Sequence, residues 1–143
     1  MGAYSHSIDA KGRIILPADF RQELGLAFII TKGLDHCLFL YGQQAWEELA
    51  AKLRALSLAK PEARALSRFF FAGARNLECD KQGRFLVPAN LRVYAGIERK
   101  GDVVLAGADD RIEVWNKELW HTYCSEVEPD VTAMAASLSD FSI

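Results

Sequence analysis

The sequence predicts an α+β fold with a mainly β core, assembled from two copies of one small unit and flanked by helices. Three observations carry that expectation. The stretch "IDAKGRIILPADFR" (Ile8 to Arg21) returns as "CDKQGRFLVPANLR" (Cys79 to Arg92). Short apolar runs of strand length alternate with turn residues in both copies. Amphipathic helical stretches follow the strand-rich part of each.

Displacing the chain by 71 positions lays residues 2–27 on residues 73–98 with nine identical pairs, from Gly2 on Gly73 to Gly25 on Gly96. Around "ERKGD" the displacement becomes 74, as if three residues were inserted. "FIITKG" then lies over "DVVLAG", "CLFLY" over "RIEVW", and Trp46 over Trp120. So long an ordered match reads as a tandem repeat of a unit of roughly 70 residues.

Each unit opens with a short alternating segment, "AYSHSI" or "ARNLEC", that leads through a turn into an apolar run, "RIILP" or "RFLVP". The proline that ends the run suits a helix start, because its missing N–H would be unpaired there anyway. "ADFRQELG" and "ANLRVYAG" predict short helices stopped by glycine. Two β-rich runs follow, joined by "KGLDH" and "GADD" as hairpins.

A helix closes each unit: "QQAWEELAAKLRALS" in the first and "KELWHTYCSEV" in the second. The first places Trp46, Leu49, Leu53 and Leu56 at helical spacing. "PEARALSRFFFAG" predicts a further helix with Pro61 at its start and Gly73 near its end, antiparallel to the one before. The expected division is 1–56 for the first repeat with its closing helix, 57–72 for a helical connector, 73–128 for the second repeat and 129–143 for a weakly helical tail.

Composition excludes several function classes. Half of the 143 residues are hydrophobic and a quarter charged, as in a soluble folded protein. No apolar run approaches the roughly 20 residues that cross a bilayer, so no membrane partner is expected. "MGAYSHSID" lacks the basic and apolar regions of a secretory leader. Cys37, Cys79 and Cys124 stand alone without a CxxC pair, which suggests reduced, buried thiols in a cytoplasmic protein.

The net charge is −2, but its distribution matters more. Residues 117–143 carry one Lys against five acids, a balance of −4, which leaves the first 116 residues at +2. The body is mildly basic, so the whole-chain charge does not exclude a nucleic-acid partner.

The repeated turn is the most informative feature. In "DAKGR" three residues separate Asp9 from Arg13, and Gly12 is the third; "DKQGR" places Gly83 likewise between Asp80 and Arg84. A three-residue loop commonly ends in a left-handed residue, where glycine fits without a Cβ penalty. Asp and Arg then face each other across the turn, and the carboxylate can hold the guanidinium by charge-assisted hydrogen bonds. An exposed pair of this kind stabilises by only about 0–1 kcal/mol. An oriented arginine beside Lys11 in one copy and Lys81 in the other suits contact with a guanine edge or a phosphate. The plainer reading is a polar turn that only determines the fold, since Asp, Lys and Gly are frequent turn formers.

Together "HSIDAKGRIILPADFR", "ITKGLDHCLFLY", "RFFFAGA", "DKQGRFLVPANLR" and "DRIEVW" resemble the MraZ family over nearly the whole chain. The resemblance implies two tandem AbrB/MazE-like swapped-hairpin units forming a pseudo-symmetric barrel. It also implies a bacterial transcriptional regulator that binds double-stranded DNA, at short direct repeats in the promoter region upstream of its own gene, in the division and cell-wall gene cluster. A homo-oligomeric ring and a cytoplasmic, nucleoid-associated location follow from the same resemblance. The DNA-contact motif falls on Asp9 and Arg13 and again on Asp80 and Arg84, and the candidate DNA-binding set adds Lys11, Gly12, Lys81 and Gly83 from the same turns.

Arg21 and Arg92, at matched places on the short helices, are further candidates for phosphate contact. A solvated helix face or an internal salt bridge is the more ordinary explanation for them. The alternative to a DNA reader is a structural or protein-interaction ring, with Glu126, Glu128, Asp130 and "SLSDFSI" available to a partner. Catalysis is not expected. His6, His36 and His121 show no metal-ligand spacing, and there is no glycine-rich phosphate loop. No cofactor is expected either. "RFFF" (Arg68 to Phe71) reads as core or subunit interface rather than a base-stacking platform.

Overall fold

The computed structural model describes residues 1–143. Its first half runs β1 (Ala3–Ser7), β2 (Arg13–Ile15), α1 (Ala18–Leu24), β3 (Ala27–Lys32), β4 (Leu38–Tyr41) and α2 (Gln43–Arg54). A helix α3 (Pro61–Gly73) precedes the second half. That half repeats the order with β5 (Arg75–Glu78), β6 (Arg84–Leu86), α4 (Ala89–Ala95), β7 (Asp102–Gly107), β8 (Ile112–Asn116) and α5 (Lys117–Val127). A short helix α6 (Val131–Ser137) follows a single 3-10 turn.

The strands form two antiparallel sheets. One is six-stranded in the order β1-β7-β8-β4-β3-β5, and the other is the two-stranded ribbon β2-β6. Both are made by exchange between the halves. β1 pairs with β7, β5 with β3, and β2 with β6, while the hairpins β3-β4 and β7-β8 are local. The two hairpins join through β4 and β8.

The large sheet does not close into a barrel: β1 and β5 are its edges. β2 and β6, only three residues each, spend their ladder bonds on one another instead of continuing from those edges. The ribbon and the helices α1 and α4 cover one face of the sheet instead.

Strand alternation divides the buried residues into two layers. Phe28, Ile30, Leu38, Leu40, Val103, Leu105, Ile112 and Val114 turn toward the ribbon. They pack with Ile14 and Phe85 from the ribbon and with Phe20 and Leu91 from the two short helices. On the other face Phe39, Tyr41 and Trp115 meet Leu53 and Phe70 from α2 and α3.

The helix boundaries have local causes. Pro17 and Pro88 sit just before α1 and α4, and Gly25 and Gly96 stop them with positive φ of 82° and 67°. Pro61 opens α3. The side chain of Asn116 accepts the Leu119 N–H at 3.1 Å to cap α5.

The three phenylalanines of α3 turn to separate partners within the chain. Phe69 meets Tyr94 edge-on, Phe70 stacks on Phe39 at 6.4 Å between centroids, and Phe71 meets Trp46 edge-on. Phe70 is buried and Phe69 half-buried, whereas Phe71 stays 36% exposed. Cys37 is fully buried, whereas Cys79 and Cys124 are only half-buried; all three are free thiols. No helix is long and apolar enough to cross a membrane.

Candidate nucleic-acid interface

The two turns fold by the same bonds. The Asp9 N–H donates to the Arg13 carbonyl at 2.9 Å, and the Gly12 N–H donates to the Asp9 carbonyl at 3.0 Å. Asp80, Gly83 and Arg84 repeat this at 2.8 and 3.0 Å. Gly12 and Gly83 have φ of 87° and 77°, the left-handed region that glycine enters freely.

The aspartates organise each loop. Asp9 Oδ1 accepts the N–H of Lys11 at 2.9 Å and of Arg13 at 2.8 Å, and Oδ2 accepts the Arg13 Nε–H at 2.7 Å. Asp80 accepts from the N–H groups of Gln82 and Arg84 and from Arg84 Nε, each at 2.9 Å. The Arg13 N–H above all, helped by its guanidinium and the Lys11 N–H, holds the Asp9 carboxyl below its ordinary range against the desolvation that raises it. Asp80 is held down in the same way by Arg84 and Gln82. Each ion pair engages Nε, so the terminal nitrogens of Arg13 and Arg84 make no hydrogen bond within the chain.

The arms of each turn do not continue as a hairpin ladder. One arm enters the large sheet and the other enters the ribbon, so the Asp–Arg pair closes a corner between two sheets. Across the ribbon Arg13 lies opposite Leu86 and Ile15 opposite Arg84. The two arginines are diagonal neighbours on one face, with Cα atoms about 7–8 Å apart. The same ladder extends through the turns, where Leu16 N–H donates to the Gly83 carbonyl at 2.8 Å and Val87 N–H to the Gly12 carbonyl at 2.9 Å. Ile14 and Phe85 face inward, fully buried, while Ile15 and Leu86 share the outer face with the arginines.

Neither Arg21 nor Arg92 makes a salt bridge, and each is only partly exposed. Each is half-buried beneath the turn of the opposite repeat: a methyl group built on Gly83 would stand 2.6 Å from Arg21 Nη1, and one on Gly12 would stand 3.3 Å from Arg92 Nε. Arg92 Nε also donates weakly to the Val87 carbonyl at 3.4 Å, whereas Arg21 Nε is buried without a partner.

The structure thus brings Asp9, Gly12, Arg13, Asp80, Gly83, Arg84, Arg21 and Arg92 to one end of the molecule, around the ribbon. Lys11 and Lys81 are exposed at the two turns. Ile15 and Leu86 escaped the sequence reading. Their signal was an apolar residue two places after each arginine, on the same side of a strand. His36, by contrast, stacks on Tyr94 away from the turns.

Known proteins match along the whole chain. The family described as "MraZ protein, putative antitoxin-like" matches twice, over residues 1–69 and 70–141. A protein named transcriptional regulator MraZ from Thermoanaerobacter sp. (strain X514) is 51% identical over 143 residues, covering 100% of this chain and 99% of its own length. Its namesakes from Moorella thermoacetica and Desulfitobacterium hafniense (strain DSM 10664 / DCB-2) are 50% and 52% identical with the same coverage. The solution structure of PHS018 from Pyrococcus horikoshii covers 79% of this chain and 85% of that one at 17% identity, with a TM-score of 0.32, too loose a likeness to bear on the fold. On the full-length relatives and the doubled family match, this chain belongs to the MraZ family.

Proposed function

We propose that this protein is a transcriptional regulator that binds double-stranded DNA sequence-selectively through the β2-β6 ribbon and its two turns. The observation that carries the reading is the pair of Asp-held arginines on one outward face, with their terminal nitrogens unspent. The name of the relatives supports it.

Arg13 and Arg84 read base edges, for which a bidentate contact with guanine is the commonest specific pairing. Asp9 and Asp80 orient them. Gly12 and Gly83 give the turns their shape, and Lys11 and Lys81 meet phosphate or base. Arg21 and Arg92 support the turns from beneath and add positive charge toward flanking phosphates. We take the ribbon and the open sheet together as one pseudo-symmetric, barrel-like unit.

The finer parts of the proposal are a homo-oligomeric ring, direct repeats upstream of the protein's own gene, and control of the division and cell-wall gene cluster from the nucleoid. A body charge of +2 gives little affinity for phosphate alone, since affinity rises with the number of charges neutralised. Several identical reading heads on several spaced repeats raise affinity through effective concentration. Binding to duplexes carrying one, two or three copies of the repeat tests this: affinity should climb with copy number at fixed spacing. Equal affinity for all of them would remove the ring from the proposal.

A further inference from the structure

The outer face of the ribbon is a two-by-two arrangement in which each arginine has an apolar residue opposite it and another two places along its own strand. Ile15 is 49% exposed and Leu86 is 53% exposed. The solvated face of an antiparallel pair ordinarily carries polar side chains, yet both repeats place a large aliphatic residue here. About half of each is left open to solvent, and the inward face is already filled by Ile14 and Phe85.

We infer that Ile15 and Leu86 are specificity-determining residues that pack against the 5-methyl groups of thymines in the major groove, beside the bases met by Arg13 and Arg84. The inference rests on the DNA-reading role proposed above. A two-stranded ribbon fits the major groove, where the thymine methyl is the one apolar feature of the base edges. The flanking arginines and the nearby Lys11 and Lys81 match a polyanion rather than an apolar protein surface. Residues two apart on a strand are separated by about 6.8 Å, which equals about two base-pair steps. Each aliphatic side chain therefore falls on a thymine within about two steps of an arginine-read base.

The test compares duplexes that differ only in methyl groups. A duplex from upstream of the protein's own reading frame, the same duplex with every thymine replaced by deoxyuridine, and a scrambled duplex are titrated with the full-length protein by fluorescence anisotropy. The wild type should bind the uracil duplex about fourfold more weakly for each methyl contacted, as expected for one buried methyl group. Ile15→Ala/Leu86→Ala should bind the thymine and uracil duplexes equally, and Leu86→Met should retain the preference. Unaltered thermal unfolding of these surface variants would confirm that only the contact is lost.

Equal binding of thymine and uracil duplexes by the wild type would overturn the methyl contact and leave the arginine reading intact. No preference for the native over the scrambled duplex would overturn both. A change of assembly mass in Ile15→Ala/Leu86→Ala with the thymine preference intact would assign the pair to self-association and overturn the inference.

Discussion

The guanidinium of Arg21 lies directly beneath Gly83 of the other repeat, so near that a methyl group added there would stand 2.6 Å from Nη1. Arg92 takes the matching place beneath Gly12 at 3.3 Å from Nε. Each turn thus rests on a helix of the opposite repeat, and neither is a self-contained loop. Crossed carbonyl bonds from Leu16 to Gly83 and from Val87 to Gly12 fasten the same exchange.

Gly12→Ala and Gly83→Ala should each destabilise by about 1–2 kcal/mol, the cost of a left-handed backbone with a Cβ. Gly83→Ala should also push the Arg21 side chain aside. The pair Gly83→Ala and Arg21→Ala should therefore be non-additive by at least about 0.5 kcal/mol in urea unfolding, as residues in contact are. Additive costs would mean that Arg21 does not rest on the turn in solution.

The two turn carboxyls titrate below the usual range because they accept backbone N–H bonds and hold an arginine. Their contribution to the folded state is fully present above the unfolded value of about 3.9 and is lost as pH falls through their lower folded values. Carbon-13 NMR of the carboxyl groups should show Asp9 and Asp80 among the last aspartates to protonate. Asp9→Asn and Asp80→Asn should weaken DNA binding more than folding, because the amide no longer holds the guanidinium as an ion pair.

Thr31 is the one fully buried polar residue, and its hydroxyl donates to the Phe70 carbonyl at 2.8 Å. The bond ties α3 to β3 where Gly73 also approaches the strand. Thr31→Val should cost about 1–2 kcal/mol in thermal or urea unfolding, since it removes the only side-chain donor at that carbonyl. DNA binding at a temperature well below the transition should be unchanged.

Cys37 is fully buried and its Sγ meets the Leu34 carbonyl at 3.2 Å. Burial first, then the nearby Glu113 and Asp35, pushes its thiol far above the ordinary range. A thiol reagent should leave Cys37 unmodified in the native protein and count it only after unfolding. Cys79 and Cys124, half-buried, should react earlier.

Much of this was legible in the sequence for local reasons. Proline, glycine and helical spacing mark α1, α3, α4 and α5 within a residue or two, and "KGLDH" and "GADD" mark the two local hairpins. Asp, Gly and Arg at fixed positions announce the turn bonds, because each residue type serves one requirement of the turn. The exchange of β1, β2, β5 and β6 was not legible from the pattern alone. Both copies carry the same strand alternation, so pairing within a copy and pairing between copies satisfy it equally; only the resemblance pointed to a swap. The seats of Arg21 and Arg92 beneath the opposite turns were not legible for the same reason, since their neighbours belong to the other half. The "RFFF" run suggested an interface because three faces of a helix cannot all turn inward; each ring meets a different intrachain partner, and Phe71 still stays 36% exposed.

The most direct test is fluorescence anisotropy at near-physiological salt, with a labelled duplex from upstream of the protein's own reading frame and a scrambled duplex. Wild type and Arg13→Ala/Arg84→Ala are compared on both. The ribbon as reading head predicts tight binding of the native duplex by the wild type alone, with a loss of about 1–3 kcal/mol per arginine and of sequence preference in the variant. Undiminished, selective binding by the variant would contradict it.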